Sequence, residues 1–369
     1  MFNPNSSVAV AGCDEYAAEK VRAAVNAVMP KIGATKETIE GKKVLIKPNL
    51  HLAYAPGKAA TTHPEVVKAV CEYLKELSPA SMIIAESPGG PYNQATFTHI
   101  CHITGMRKAS EDTGVPLCED FDAEDIPLPD GVNAKSLKII KPALEADVIV
   151  NVCKAKTHSL ATMTAAGKNL FGLVPGITKF EMHARFKDQR AFLGMVCDLN
   201  CAIAARATIF SVCDAVVGME GNGPSGGTPK AFGAILGSEN PFCLDIALAK
   251  ALHLDPVPLN ETALGRGLAA ENPEIDGDMP DVPFAPADAT LSKKFSRIPK
   301  FLEPKPYIDP KMCRGCFVCV NSCPQHTIEK KTGVAKINGK NCIKCYCCQE
   351  LCTFRAIRIK KNFIYKMIK

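Results

Sequence analysis

The sequence predicts an α/β fold, a largely parallel sheet flanked by helices, followed by a small C-terminal α+β domain. Three observations carry that expectation. Short apolar runs alternate with helix-periodic segments between residues 7 and 252, the pattern of a parallel sheet covered by helices. Between residues 270 and 310 proline recurs every few positions and the helical period disappears, as in an extended connector. Beyond it, two runs of cysteine share one spacing. The expected organisation is an α/β domain over 1–269, a connector over 270–310 and a cysteine-rich domain over 311–369.

The elements follow in order. Residues 7–12 read as a short apolar strand, and 15–29 have a helical period with Asp14 placed to cap it. The run KVLIK at 43–47 is a buried-type strand stopped by Pro48. Thr62 is placed to cap the next helix, Pro64 takes its first position, and Val66, Val67, Val70, Leu74 and Leu77 form its apolar face. A strand at 81–86 leads through Ser-Pro-Gly-Gly to a helix at 98–109. Strands are expected at 116–119, 136–140 and 147–154, and a helix at 161–170. A longer helix at 190–206, strands at 208–218 and 231–237, and a helix at 241–252 complete the domain.

The first cysteine run, Cys313, Cys316, Cys319 and Cys323, reads C-x-x-C-x-x-C-x-x-x-C-P, and Cys342, Cys345, Cys348 and Cys352 repeat its spacing. Two-residue gaps wrap three thiolates around one face of an iron–sulfur cube, and the turn that follows carries the fourth to the other cube. The spacing therefore predicts two [4Fe–4S] clusters, one on Cys313, Cys316, Cys319 and Cys352, the other on Cys342, Cys345, Cys348 and Cys323. Structural zinc sites pair two short C-x-x-C elements across a longer loop, whereas here four thiols come in one short run, twice. Residues 311–358 resemble the bacterial-type two-cluster ferredoxin module, so the C-terminal domain is expected to be ferredoxin-like. Ile328 and Ile357 hold the apolar positions that begin strands in that family. Thr353 stands where the family has proline, and Cys347 adds a ninth thiol that competes with Cys348 as ligand.

Composition narrows the setting. At 369 residues and 47% hydrophobic content the chain has the balance of a globular protein with several domains. Its first residues lack the basic and apolar regions of a signal peptide, and no apolar stretch reaches membrane-spanning length. Nine of its 18 cysteines fall in the cluster segment and the rest are scattered singly among apolar residues. A reducing, cytoplasmic setting, that of an anaerobe, is expected. Residues 291–369 carry 18 Lys and Arg against 4 Asp and Glu, so this end is strongly basic. It suits an acidic redox partner, or the acidic body of its own chain. No aromatic platform or recognition motif accompanies the basic tail, which argues against nucleic acid.

In a parallel sheet, ligands gather outside the carboxyl ends of the strands. Polar residues recur at those positions: Lys47 and Asn49, Glu86 and Ser87, Lys154, Lys156 and His158, then Glu220, with Lys168 and Asn169 shortly after the third strand. Their recurrence predicts one anion-binding crevice for a small molecule or cofactor, in which His158 or Glu220 would exchange a proton. Gly221, Gly223 and Gly226 match G-x-G-x-x-G, but Pro224 interrupts the loop and a strand follows it, so a nucleotide fingerprint is not expected. His158 and His183 are candidate metal ligands set against ordinary backbone-bonded histidines, and Asp214 is a candidate base set against a satisfied core carboxylate.

The motifs VLIKPNL, TTHPEVVKAV, VIVNVCKAKTH, TAAGKNLFGLVPG and GMEGNGPSGG resemble, in this order, the domain of unknown function family 362. The resemblance spans residues 8–268 and singles out Lys47, Pro48, Asn49, Lys154, Lys156, His158, Lys168, Asn169, Gly172, Glu220, Gly221 and Gly223. Cys153 stands where that family has proline before its lysine motif. Members of the family often end in a two-cluster ferredoxin module. Together these readings point to an iron–sulfur oxidoreductase relaying electrons to an anionic substrate or cofactor. A non-catalytic electron-transfer protein, or an isomerase or transferase with structural clusters, is the competing expectation.

Overall fold

The computed structural model describes residues 2–186, 188–288 and 305–360. One mixed sheet organises the first domain. Its strands are β1 (Val8–Gly12), β2 (Lys43–Pro48) and β3 (Ser81–Ile84); β4 (Ala123–Pro127) and β5 (Ser136–Ile140) form a separate antiparallel pair; then follow β6 (Val148–His158), β7 (Thr162–Thr164), β8 (Thr208–Glu220), β9 (Thr228–Ser238) and β10 (Ile275–Asp276). The order across the sheet is β10-β1-β9-β8-β6-β2-β3, with β7 paired to the end of β6. Pairings β3–β2, β2–β6 and β6–β8 are parallel, while β9 runs antiparallel to both β8 and β1. The sheet is therefore parallel at its centre, as the apolar, non-alternating strand sequences require of strands buried on both faces.

Two cores form, one per face. Leu45, Ile149 and Cys153 point into the first, against helices α6 (Gln189–Ala204) and α7 (Pro241–Ala251). Val44, Ile46, Val148, Val150 and Val152 point into the second, against α1 (Ala18–Val28) and α2 (Pro64–Glu76). Between them in the chain lie α3 (Gln94–Ile103), α4 (Met106–Thr113) and α5 (Gly176–Arg185), with α8 (Pro258–Gly265) after α7. Each fully buried Val, Leu or Ile contributes about 1.5–3 kcal/mol, so the strand centres dominate the domain's cohesion.

Several local expectations change. The helix near residue 98 is two, α3 and α4, because Gly105 adopts φ 79° between them. Asp14 does not cap α1 but pairs with Lys20, and His63 rather than Thr62 caps α2 by accepting the Glu65 N–H. Thr62 instead donates to the Val152 carbonyl, pinning the start of α2 to β6. Residues 116–119 make only a single bridge, Ile84 to Leu117, and β4 forms where no strand was expected. The helix expected at 161–170 is β7, a helical turn Ala166–Asn169 and a 3-10 turn Leu170–Leu173. Most consequentially, β6 runs past Lys154 to His158, so its polar residues lie within a strand, and a register shift between Lys154 and Lys156 breaks the regular alternation there.

The described part of the proline-rich stretch lies on the first domain. Val282 and Phe284 donate backbone hydrogen bonds to Ala251 and Leu252, and Phe284 is buried in the first core. Residues 289–304 of that stretch, and the basic tail 361–369, lie outside the described residues. The second domain is built from two antiparallel pairs, β11 (Lys305–Ile308) with β14 (Ile357–Lys360), and β12 (Ile328–Lys331) with β13 (Val334–Ile337). Ile328 and Ile357 open β12 and β14 and are buried. Its start thus moves forward to include β11.

Candidate active site at the junction of the two domains

The cysteine runs adopt matching backbones. Left-handed residues Gly315 and Phe317 in the first run correspond to Lys344 and Tyr346 in the second, and His326 to Arg355 after each fourth cysteine. Such residues turn the chain so that its thiols and N–H groups face inward. The helical turns Val318–Asn321 and Cys347–Glu350 occupy equivalent places. The Thr327 N–H points at Cys323 Sγ at 3.4 Å and the Ala356 N–H at Cys352 Sγ at 3.3 Å, again in matching positions. Backbone donors of this kind are what a cluster thiolate needs to hold its charge.

The thiols fall into two groups. Cys323, Cys342, Cys345 and Cys348 line one small hollow, and burial together with the neighbouring charges of Cys345 and Cys323 raises the Cys342 pKa. Burial, then the neighbouring charges of Cys352, Cys316 and Cys313, pushes Cys319 up to about 11. Among the described residues no three His, Cys, Asp or Glu side chains approach closely enough to share a single metal ion. The thiols of a cube stand farther apart, since each binds its own iron.

A cavity of about 90 Å³ lies where this second group meets the carboxyl edge of the sheet. Loops after β2 and β3 bring Asn49, His51, Glu86 and Ser87 to it; β6 brings Lys156; the turn after β7 brings Lys168, Asn169 and Phe171; α5 brings Lys179, Phe180 and His183. Cys347, Glu350 and Leu351 of the second cysteine run close it. A cavity of this size is smaller than the roughly 150 Å³ that admits benzene, so it suits a compact molecule.

A one-way chain of amides fixes its floor. Lys156 Nζ donates to Asn49 Oδ1 at 2.8 Å, Asn49 to Asn169 at 2.8 Å, Asn169 to Asn151 at 2.8 Å, and Asn151 to Ser211 Oγ at 3.2 Å. Lys156 also donates to the Ala60 carbonyl at 2.7 Å. Lys179 donates to the Ser87 carbonyl, while Lys168 Nζ has no hydrogen-bond or ion-pair partner among the described residues. Burial pulls Lys156 and Lys179 down to about 7 and lowers Lys168 as well. Three lysines crowded in one buried space favour an anion among them. Two further polar atoms are buried and unpartnered on the same wall, Ser87 Oγ and His51 Nε2.

The remaining site residues divide sharply. Lys47 is fully buried beneath the cavity and ion-paired to Glu86, with Gly172 packed over the pair. His158 Nδ1 accepts the Leu160 N–H at 3.0 Å and the Ala161 N–H at 3.3 Å, which leaves its proton on Nε2, 3.3 Å from Glu350 Oε1. Burial holds His158 well below the usual histidine range, His183 falls to about 3, and burial lifts Glu350 to about 7.

The expected convergence on one crevice fails for Lys47 and His158, which do not line the cavity, and for Lys154 and Glu220. Lys154 shares the direction of Val150 and Val152, so it lies on the opposite face of the sheet, bonded to Asp214 at 2.8 Å and Tyr16 at 2.7 Å. Glu220 lies outside the cavity, taking the Ala285 N–H at 2.9 Å and Lys230 at 3.2 Å. Asp214 is a satisfied core carboxylate, also accepting from the His63 N–H. Gly223 is required by the close approach of the Thr157 carbonyl, and its own carbonyl takes the Ser159 N–H, so the glycine loop packs on β6. His51, Lys179, Phe180 and Glu350 were not singled out by sequence. Glu350 carried the clearest signal, a rare acid within a basic cysteine segment.

Residues 44–250 match the family model of the domain of unknown function DUF362. The chain belongs to the DUF362 family. Residues 305–353 match a 4Fe-4S dicluster domain, so this DUF362 protein carries a ferredoxin-type iron–sulfur domain after its α/β domain. A thylakoid-associated protein of Synechocystis sp. is 31% identical over 265 residues, 69% of this chain and 76% of that one. Among solved structures, the lactate racemase apoprotein of Thermoanaerobacterium thermosaccharolyticum aligns over 68% of this chain at 16% identity and TM-score 0.42. A Thermotoga maritima protein aligns over 60% at 12% identity and TM-score 0.36. The alignments span 58% and 55% of those two structures. No helix among the described residues of the DUF362 protein is long and apolar enough to cross a membrane.

Proposed function

We propose that this protein is an iron–sulfur oxidoreductase acting on a compact anionic molecule in the junction cavity, with two [4Fe–4S] clusters, one on Cys313, Cys316, Cys319 and Cys352 and one on Cys342, Cys345, Cys348 and Cys323. The observation that carries this reading is the double duty of one helical turn. Cys348 lines the hollow of the second thiol group, while Cys347 and Glu350 of the same turn wall the lysine-rich cavity. Bound clusters supply electrons singly, and the chain supplies binding, orientation and protons. Lys156, Lys168 and Lys179 hold the anion as point charges, and Ser87 Oγ and His51 Nε2 are free to orient it. Phe171 and Phe180 give it an apolar side. The His158–Glu350 pair is the nearest proton store, in place of Glu220.

Anaerobic purification followed by mass spectrometry of the denatured protein tests this reading. A compact anion should be released, and its removal should shift the spectrum of the reduced clusters. A protein that binds no small anion, and whose cluster spectrum ignores every anion offered, would sink it.

A further inference from the structure

Of the lysines that line the cavity, Lys168 alone has an amine that no hydrogen bond or ion pair among the described residues holds. Its backbone, by contrast, is pinned on both sides. The Ala166 and Gly167 N–H groups donate to Asp245 at 2.6 and 3.0 Å, Asn200 donates to the Gly167 carbonyl at 2.9 Å, and Asn169 belongs to the amide chain of the floor. From this fixed turn the side chain reaches the cavity wall, where it is partly exposed, with Nζ 6.0 Å from the centre of the Phe171 ring.

The neighbouring lysines are set differently. Lys156 donates to Asn49 Oδ1 and to the Ala60 carbonyl, and Lys179 to the Ser87 carbonyl, so both are anchored in place. Burial lowers the Lys168 pKa, and an amine desolvated beside other cations gives up its proton readily and becomes a nucleophile toward carbonyl carbon. Glu350, lifted to about 7 by burial, lines the same cavity and exchanges a proton near neutrality.

We propose that Lys168 Nζ condenses with the carbonyl carbon of a small 2-oxo acid to form an imine, while Lys156 and Lys179 hold the carboxylate of that acid. This names the substrate class of the cavity and rests on the cavity being an anion site. The amine forms a C–N bond, the C–O bond breaks, and the oxygen leaves as water with the two hydrogens of the amine, relayed by Glu350. No electron is gained or lost. Protonated, the imine restores the positive charge that Lys168 gave up. Ser87 Oγ and His51 Nε2, buried and unpartnered, are left to orient the carboxylate. The cavity of about 90 Å³ limits the acid to about two or three carbons, since benzene occupies a cavity of roughly 150 Å³.

The test incubates the full chain with its clusters, anaerobically, with pyruvate and cyanoborohydride, which reduces an iminium to a stable secondary amine. Mass spectrometry of the denatured protein should show a gain of one pyruvic acid and two hydrogens less one water. Peptide mapping should place it on Lys168 with at least about tenfold preference over every other lysine, because each unit by which burial lowers an amine multiplies its unprotonated fraction tenfold. Excess phosphate should suppress the adduct, and Lys168→Arg should abolish it. Modification spread evenly over the lysines of the unaltered protein overturns the proposal, whether or not the variant folds. Calorimetry of the unaltered protein separates the two possible failures. Binding of phosphate or pyruvate without an adduct overturns the imine alone, whereas binding of neither removes the anion site as well.

Discussion

His158 Nε2 on β6 stands 3.3 Å from Glu350 Oε1 on the second cysteine run, and this contact joins the two domains at the wall of the cavity. Its geometry is set from the other side of the ring, where two backbone N–H groups occupy Nδ1. Substituting His158→Ala leaves both amides buried without an acceptor, at about 1–3 kcal/mol each. The expected outcome is a clear fall in the denaturation midpoint of the anaerobic protein. An unchanged midpoint would show that the amides find other partners.

Lys168 offers a cleaner probe of anion binding, because it has no hydrogen bond or ion pair among the described residues to lose. Lys168→Ala should weaken phosphate or small-carboxylate binding by roughly 1.5–3 kcal/mol, about ten- to a hundredfold, with stability little changed. Calorimetric titration measures this directly. Equal binding by the variant would remove Lys168 from the site.

Binding should also depend on pH in a determined direction. Lys156 and Lys179 lie at about 7 because burial disfavours their charge. An anion beside them favours the charged form, so the complex holds more protons than the free protein once pH exceeds about 7. Affinity is then greatest below pH 7 and falls as pH rises, by up to about tenfold per unit for each lysine that must be protonated. Affinity that rises with pH over this range would contradict the assignment of these two lysines.

Legibility in the sequence followed the physics of each feature. The cluster ligands and the repeated αβ pattern are local, written in spacings of a few residues. The cavity is not. Lys154 and Lys156 look equivalent in KAK, yet which faces the cavity depends on how far β6 continues and on the register shift between them. Glu350 belongs to the cysteine run by sequence and to the cavity only through docking of the domains. Lys179 comes from α5, a segment for which no element was expected.

Gly172 tests the buried pair beneath the cavity. A Cβ there would come within 2.6 Å of Lys47 Nζ and closer still to Glu86. Gly172→Ala should force the pair apart and cost on the order of 3–5 kcal/mol, since it leaves charges buried without proper partners. Stability close to the unaltered protein would mean that the loop after β3 yields more easily than its packing suggests.

The crossed ligation is tested by removing one cysteine at a time. Cys323 lines one hollow with the second run, and the charge of Cys352 acts on Cys319 of the first, so Cys323→Ala should damage the cluster beside the cavity and Cys352→Ala the other one. Anaerobic iron and acid-labile sulfide analysis should fall from about eight to about four of each in either variant, with loss of the spin-coupled signal of the fully reduced protein. Cys347 lines the cavity whereas Cys348 lines the thiol hollow, so Cys347→Ser should keep both clusters and Cys348→Ser should lose one. The two outcomes exchanged would make Cys347 the ligand and turn Cys348 toward the cavity. Stoichiometric zinc without acid-labile sulfide in the unaltered protein would overturn the cluster assignment altogether, and with it the proposed supply of electrons to a molecule in the cavity.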